Sequence, residues 1–450
     1  MCASIVRKWT LVVCAVLFAG LSQTAAAKTL CVNPSGSKGC YKTIQSAVNA
    51  AASNDILQVA AGTYKEEVTI GKPLSLLGAG SEWTIIDATK LAHGLFVDGW
   101  DHPGLNNITI SGFTVENALY EGLLVVSASD VTVRANTVKD NDSVPGATFT
   151  GDLTGCPDQP GSGVYETDET GDCGGAIHLV GTVNSTLSDN FITGNADGVL
   201  ISDETAESRD NLLISNVIVD NPLECGIVLA SHPRAGTTAM AQLPAHFGVD
   251  RNTIAENVST GNGVKVGGSG VGLFSDGNGQ GTVSGNVIIR NKLTGNGLGG
   301  VALHTHVGPA FGLPADNMGN NKIIGNYIAG NLADTADTAT PGPVGININS
   351  GGGGSPVRGT VIANNIVLDE DIDVAINTPA EVDIHLNDLL GGKTGVGDVC
   401  AFDSAKICTG TIDATENYWG CSAGPGGKGC TMTSGSDIRF TPWLSQPDYH

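Results

Sequence analysis

The chain predicts an all-β fold, a parallel β-helix of about ten to eleven coils with a short N-terminal capping helix. Three observations point there. Asn recurs in pairs five residues apart: Asn136/Asn141, Asn190/Asn195, Asn216/Asn221, Asn257/Asn262, Asn291/Asn296 and Asn326/Asn331, with Asn365 followed by Glu370 in the same phase. Short apolar steps recur after these pairs, often behind a Gly: Leu123-x-Val125, Ile177-x-Leu179, Val199-x-Ile201, Ile227-x-Leu229, Val271-x-Leu273, Val301-x-Leu303, Ile346-x-Ile348 and Val374-x-Ile376. Within each stretch apolar and polar residues alternate, the period of a strand with one buried face. One copy cannot bury its apolar side alone, whereas stacked copies bury a continuous core. Stacking also piles the amides into ladders, with Asn and Gly taking the left-handed angles of tight corners. A sandwich of unrelated short strands would give no reason for the fixed Asn-to-Gly phase.

At the N-terminus, residues 1–27 read as a secretory leader: Arg7 and Lys8, an apolar stretch over 11–21, and Ala25-Ala26-Ala27 at a cleavage site. The apolar stretch is about half a bilayer span, so no membrane span is expected once the leader is removed. This predicts a secreted or periplasmic protein with one β-helix domain over 28–450, residues 28–55 and 395–450 forming its two ends. Residues 43–52 form the one clear helix, with Ile44, Ala47, Val48 and Ala51 on one face, placed to cover the open first coil. Four short apolar runs follow over 56–86.

This opening resembles that of pectinesterases and other secreted right-handed β-helix proteins of the pectin-lyase-like class. The resemblance implies a right-handed coil. It does not extend to chemistry, because the Gln-rich segment, the Asp-Phe motif and the Arg-Pro-Trp of pectinesterases are missing. Near the C-terminus, Asn417-Tyr418-Trp419-Gly420 followed by Gly424-Pro425 resembles the terminal coil of such proteins. Trp419 and Trp443 are expected to cover the last coil.

The chain carries 45 acidic against 22 basic residues, a net charge of −23 that becomes −25 when Arg7 and Lys8 leave with the leader. Such a surface excludes nucleic acid and anionic membranes as partners. Eight of the cysteines outside the leader fall into close pairs, Cys31/Cys40, Cys156/Cys173, Cys400/Cys408 and Cys421/Cys430, which in an exported chain read as local disulfides. The last four do not have zinc-ligand spacing. Cys225 is left over as a buried thiol.

Extra residues enter before the post-Gly strand at 142–174 and 332–343, and after it at 231–250, 275–285, 305–320 and 350–358. The side between paired Asn has none. Long loops at both ends of one strand stack would wall a groove on its outer face, where function usually lives. Alternation points His178, Ser202 and His304 outward, with Asp203, Glu204, His232, Arg234, Asp276 and His306 just beyond the strands. The candidate catalytic set is therefore His178, Asp203, Glu204, His232, Arg234, Asp276, His304 and His306. The His residues suit proton transfer at C5 of a uronate, with Arg234 or a cation neutralising its carboxylate. Asp203 or Glu204 with Asp276 would instead serve glycoside hydrolysis. The expected partner is a polysaccharide, acted on by a lyase, epimerase or hydrolase. Two other readings stand beside it: a non-catalytic carbohydrate-binding or envelope-structural solenoid, and a periplasmic metal-handling protein using His304-Thr-His306. The acids of residues 140–172 are oxygens of the kind that would stabilise Ca2+, without the spacing of a defined calcium loop.

Overall fold

The computed structural model describes residues 27–141, 175–231, 246–265, 267–275, 281–305, 315–333, 342–349, 357–377, 380–398, 411–435 and 438–448. The pairings between named strands are all parallel, and the strands stack into three long sheets and one two-stranded sheet. Sheet A has fourteen strands, from Thr29–Val32 to Ile438–Arg439; sheet B has eleven, from Gly62–Tyr64 to Asp388–Leu390; sheet C has twelve, from Val68–Ile70 to Met432–Ser434. Sheet B matches the expected coil number, and sheets A and C run further at the ends. The chain visits A, B and C in turn.

Inward residues fill a narrow core of small aliphatics. Leu95, Leu123, Ile177, Val199, Ile227, Val271, Val301, Ile346 and Val374 form one continuous inner column of sheet C and are all buried. The helix Ile44–Ala50 begins at Thr43, whose hydroxyl accepts the Ser46 N–H, and buries Ile44, Ala47 and Val48. It packs on Thr29–Val32, Asp55–Val59 and Val68–Ile70, as a cap on the first coil should. At the other end Trp419 is fully buried in the core, edge-on to Phe440. Trp443 is exposed and bonds Ser422, so Trp419 alone of the two seals the core.

Asn side chains stack into ladders at the corners. The first runs Asn136, Asn190, Asn216, Asn257, Asn291, Asn326, Asn365, Asn387 and Asn417, each Nδ2 donating to the next Oδ1 at 2.9–3.1 Å. The second runs from Asn141 through Asn195, Asn221, Asn262, Asn296 and Asn331, and ends on Glu370, which accepts from Asn331 at 2.8 Å. A third, Asn211, Asn252, Asn286 and Asn321, enters sheet A and is not part of the pairing read from sequence.

The ladder Asn residues are not the left-handed ones. The residue before each is: Ala135, Asp189, Ser215, Glu256 and Arg290 in the first ladder, Asp140 and Asp220 in the second, Asp210 and Arg251 in the third, all near φ +55°. An L-residue there costs on the order of 1 kcal/mol. The following amide fixes the bend by accepting a backbone N–H and a side-chain N–H from the previous rung. Two expected disulfides, Cys31–Cys40 and Cys421–Cys430, are present; Cys156, Cys173, Cys400 and Cys408 lie outside the described residues. Cys225 is half-buried, not buried, and its sulfur accepts the Ser269 N–H at 3.0 Å. No helix among the described residues is long and apolar enough to cross a membrane.

Candidate functional site

The outward columns of sheet C hold His178, Ser202 and His304, but the face is not an open groove over its middle rungs. Phe96, Leu124, Val126 and Val180 form one apolar cluster there and Leu200, Ala230 and Phe274 another, all buried. Alternation correctly turned these side chains away from the core; it could not show that they would be covered.

Polar groups are buried between these clusters. Glu121, at a corner just before Gly122, projects onto the outer face, where its Oε1 lies 3.3 Å from His178 Nδ1. His178 Nε2 lies 2.7 Å from Ser202 Oγ on the next rung. A carboxylate only accepts, so Nδ1 carries the imidazole proton and Nε2 accepts the Ser202 hydroxyl. The order Ser202, His178, Glu121 is hydroxyl, base and orienting acid, an arrangement that polarises an O–H bond. On the other side, His93 Nδ1 lies 2.8 Å from Glu121 Oε2. His93, Glu121, His178 and Ser202 are all fully buried. Burial pushes the Glu121 carboxyl up, but the imidazoles of His93 and His178 outweigh it and hold it down at about 2.

Asp203 and Glu204, at the end of the strand bearing Ser202, are buried too, as is Asp197 at its start. Asp203 Oδ2 accepts from Ser231 Oγ and from Gly248 N, both at 2.7 Å, so its carboxylate ties the next rung to the start of the following coil. His178, Asp203 and Glu204 therefore share two neighbouring rungs. His304 stands apart, four rungs or about 19 Å from His178. It is half-buried and stacks on Phe274 with ring centroids 6.1 Å apart. His232, Arg234, Asp276 and His306 lie outside the described residues, as do the acids of 142–172; Asp140 is paired with Lys139. Sequence reading missed Glu121 and His93. The available signal was their shared place immediately before Gly122 and Gly94 in consecutive coils.

A second polar group lies on sheet A. One ligand atom from each of Asp383, His385 and Asp413 fall within 4.8 Å of one another, a spacing that a metal ion could bridge. Asp413 is already engaged by Arg439 and Thr415. Burial pushes its carboxyl up, and these partners bring it down to about 2. His385 Nδ1 contacts the Thr415 carbonyl at 2.9 Å.

Residues 77–240 match the family model described as right handed beta helix region. Comparison with curated proteins found no match. Among solved structures, the catalytic unit of a thermostable α-1,3-glucanase from Streptomyces thermodiastaticus is similar at 16% identity and TM-score 0.51, over 95% of this chain and 71% of that one. An alginate lyase from Paenibacillus is similar at 15% identity and TM-score 0.45, over 74% and 94%. A pectate lyase is similar at 13% identity and TM-score 0.47, over 84% and 82%. With three parallel sheets visited in turn, a family model matched over 77–240 and a shared coil path, the chain folds as a right-handed parallel β-helix.

Proposed function

We propose that this chain is an exported, carbohydrate-active β-helix protein whose catalytic groups lie on the outer face of sheet C around Glu121, His178 and Ser202, with Asp203 and Glu204 beside them. One observation carries the reading. The outward column places Phe96 and Leu124 before His178 and Leu200 and Val228 after it, whereas at His178 a carboxylate, two imidazoles and a hydroxyl are buried together. Burying charge is costly, and perturbed buried acids and bases concentrate where chemistry is done. His178 with its proton fixed on Nδ1 offers a general base at Nε2. The glucanase that shares the coil path supports a polysaccharide as substrate class. The two disulfides support an oxidising compartment outside the cytoplasm.

The test is product formation on a panel of uronate polymers and neutral glucans. It is read as 235 nm absorbance for elimination and as reducing ends for hydrolysis. His178→Ala and Glu121→Gln should each lower turnover about 100-fold or more with the β-sheet circular dichroism retained. No product from the wild-type protein on any polymer removes the catalytic reading.

The complete burial of Ser202 and His178 favours a second reading, a non-catalytic carbohydrate-binding solenoid in which the network only holds the rungs together. It predicts polymer binding without product.

A further inference from the structure

Sheet B turns a different surface to solvent. From Thr137–Lys139 to Asp388–Leu390 its strands have three residues each and stay in register. Each middle residue points into the core, leaving two outward columns. One reads Thr137, Phe191, Val217, Val258, Lys292, Tyr327, Ile366 and, buried at the last rung, Asp388. Its neighbour carries Thr193, Thr260 and Thr294 among Val219, Ala329, Leu368 and Leu390, and the Thr260 and Thr294 hydroxyls bond at 2.9 Å. Phe191 is 42% exposed, Val217 37%, Tyr327 40% and Leu390 38%.

We propose that this strip is a polysaccharide-binding surface, separate from the groups on sheet C, that holds a linear chain of sugar rings along the solenoid axis. This rests on the reading of the protein as carbohydrate-active. Three observations choose the occupant. The strip is about 10 Å wide and about 34 Å long, roughly 350 Å2, from strand rise and spacing. That is under half of the ~800 Å2 per partner in a stable protein interface, which disfavours a second copy. It is the footprint of a single extended polymer. The net charge of −23 argues against nucleic acid as that polymer. The columns set apolar side chains beside hydroxyls, matching a ligand with apolar ring faces and hydroxyl rims. Phe191 and Tyr327 stand four rungs apart, about 19 Å, so the two rings can engage distant sugars of one chain while Lys292 lies between them.

The experiment is co-sedimentation of the full chain with insoluble α-1,3-glucan, cellulose, and calcium gels of alginate and pectate, beside turnover on soluble oligosaccharides. The double variant Phe191→Ala/Tyr327→Ala should weaken binding to one of these polymers tenfold or more. Its thermal midpoint and its turnover on short oligosaccharides should stay unchanged, because both side chains are on the surface. Binding by wild type that the double variant and Lys292→Ala retain in full overturns the strip while leaving the carbohydrate reading intact. Failure of wild type to bind or turn over any polymer overturns both. A concentration-dependent dimer, or binding to phosphatidylcholine vesicles, that the double variant abolishes would assign the strip to a different occupant and overturn the proposal.

Discussion

Sheets B and C are built from the same stacked rungs, yet their outer faces differ in kind. Over sheet C, Leu124, His178, Leu200 and Ser202 are fully buried, and a carboxylate with two imidazoles lies among them. Over sheet B, Phe191 and Tyr327 stand in solvent, and the one buried carboxylate among the described residues of its outer columns is Asp388 at the last rung. The difference follows from the corners. Sheet B lies between two Asn ladders five residues apart, which leaves room for one three-residue strand and no insertion. Sheet C is joined to its neighbours by connections of very uneven length. A solenoid face between two tight corners stays bare and serves contact. One whose outward residues are buried forms a second interior, and an interior can hold shifted titratable groups.

The sharpest way to break this contrast is to remove the buried acid. Glu121→Ala leaves two buried imidazoles without their anion and should destabilise the protein by about 3–5 kcal/mol in urea denaturation. A loss within ~0.5 kcal/mol, the range of a surface change, would mean that the outer face of sheet C is no more an interior than that of sheet B.

Next comes acidity. Glu121 is held at about 2 against an ordinary 4.5, so its contribution is present above about 4.5 and is lost as pH falls through about 2. That change is on the order of 3 kcal/mol. Glu370 has the opposite sign. It ends the second ladder, buried beside Asp373, and burial outweighs the two Asn331 hydrogen bonds to push it up to about 7. Burial also pushes Asp373 well up. Both therefore favour the fold when protonated. The Glu370 contribution is complete below about 4.5 and is lost as pH rises through about 7. Thermal midpoints across pH should fall on both sides, and Glu370→Gln should flatten the neutral-to-alkaline limb only. An unchanged alkaline limb in that variant would show that the last rungs are not loosened through this group.

The smallest expected effect belongs to sheet B. Phe191→Ala should change stability by about 0.5 kcal/mol or less, because the ring is on the surface. A loss of about 2 kcal/mol or more in the same denaturation assay would show that the strip is packed rather than bare.

Asn190, Asn216 and Asn291 were legible as one column because a five-residue Asn spacing can repeat in phase only if the rungs are equal at that corner, and all three stand in the first ladder. Glu370 was legible as a ladder member for the same reason. His178, Asp203 and Glu204 were legible as outward neighbours because strand alternation is strict. Their companions were not. Glu121 and His93 sit at corners, where alternation stops and backbone angles decide which way a side chain leaves. The left-handed residue was also placed one position late, because its identity varies from Ala135 to Arg290 while the Asn that holds the bend does not.

By itself the sequence determined the coil. Corner amides, glycines and alternating apolar residues act over a few positions, and each rung repeats the same local instructions. Only the tertiary structure decided which outer face would be enclosed and which would be open. That outcome depends on which side chains of rungs and corners far apart in sequence meet over a face, as Glu121, His178 and Ser202 do, and on the low dielectric that results. The same exclusion of water that holds Glu121 between two imidazoles is absent over Phe191 and Tyr327, although all are outward residues of one regular stack.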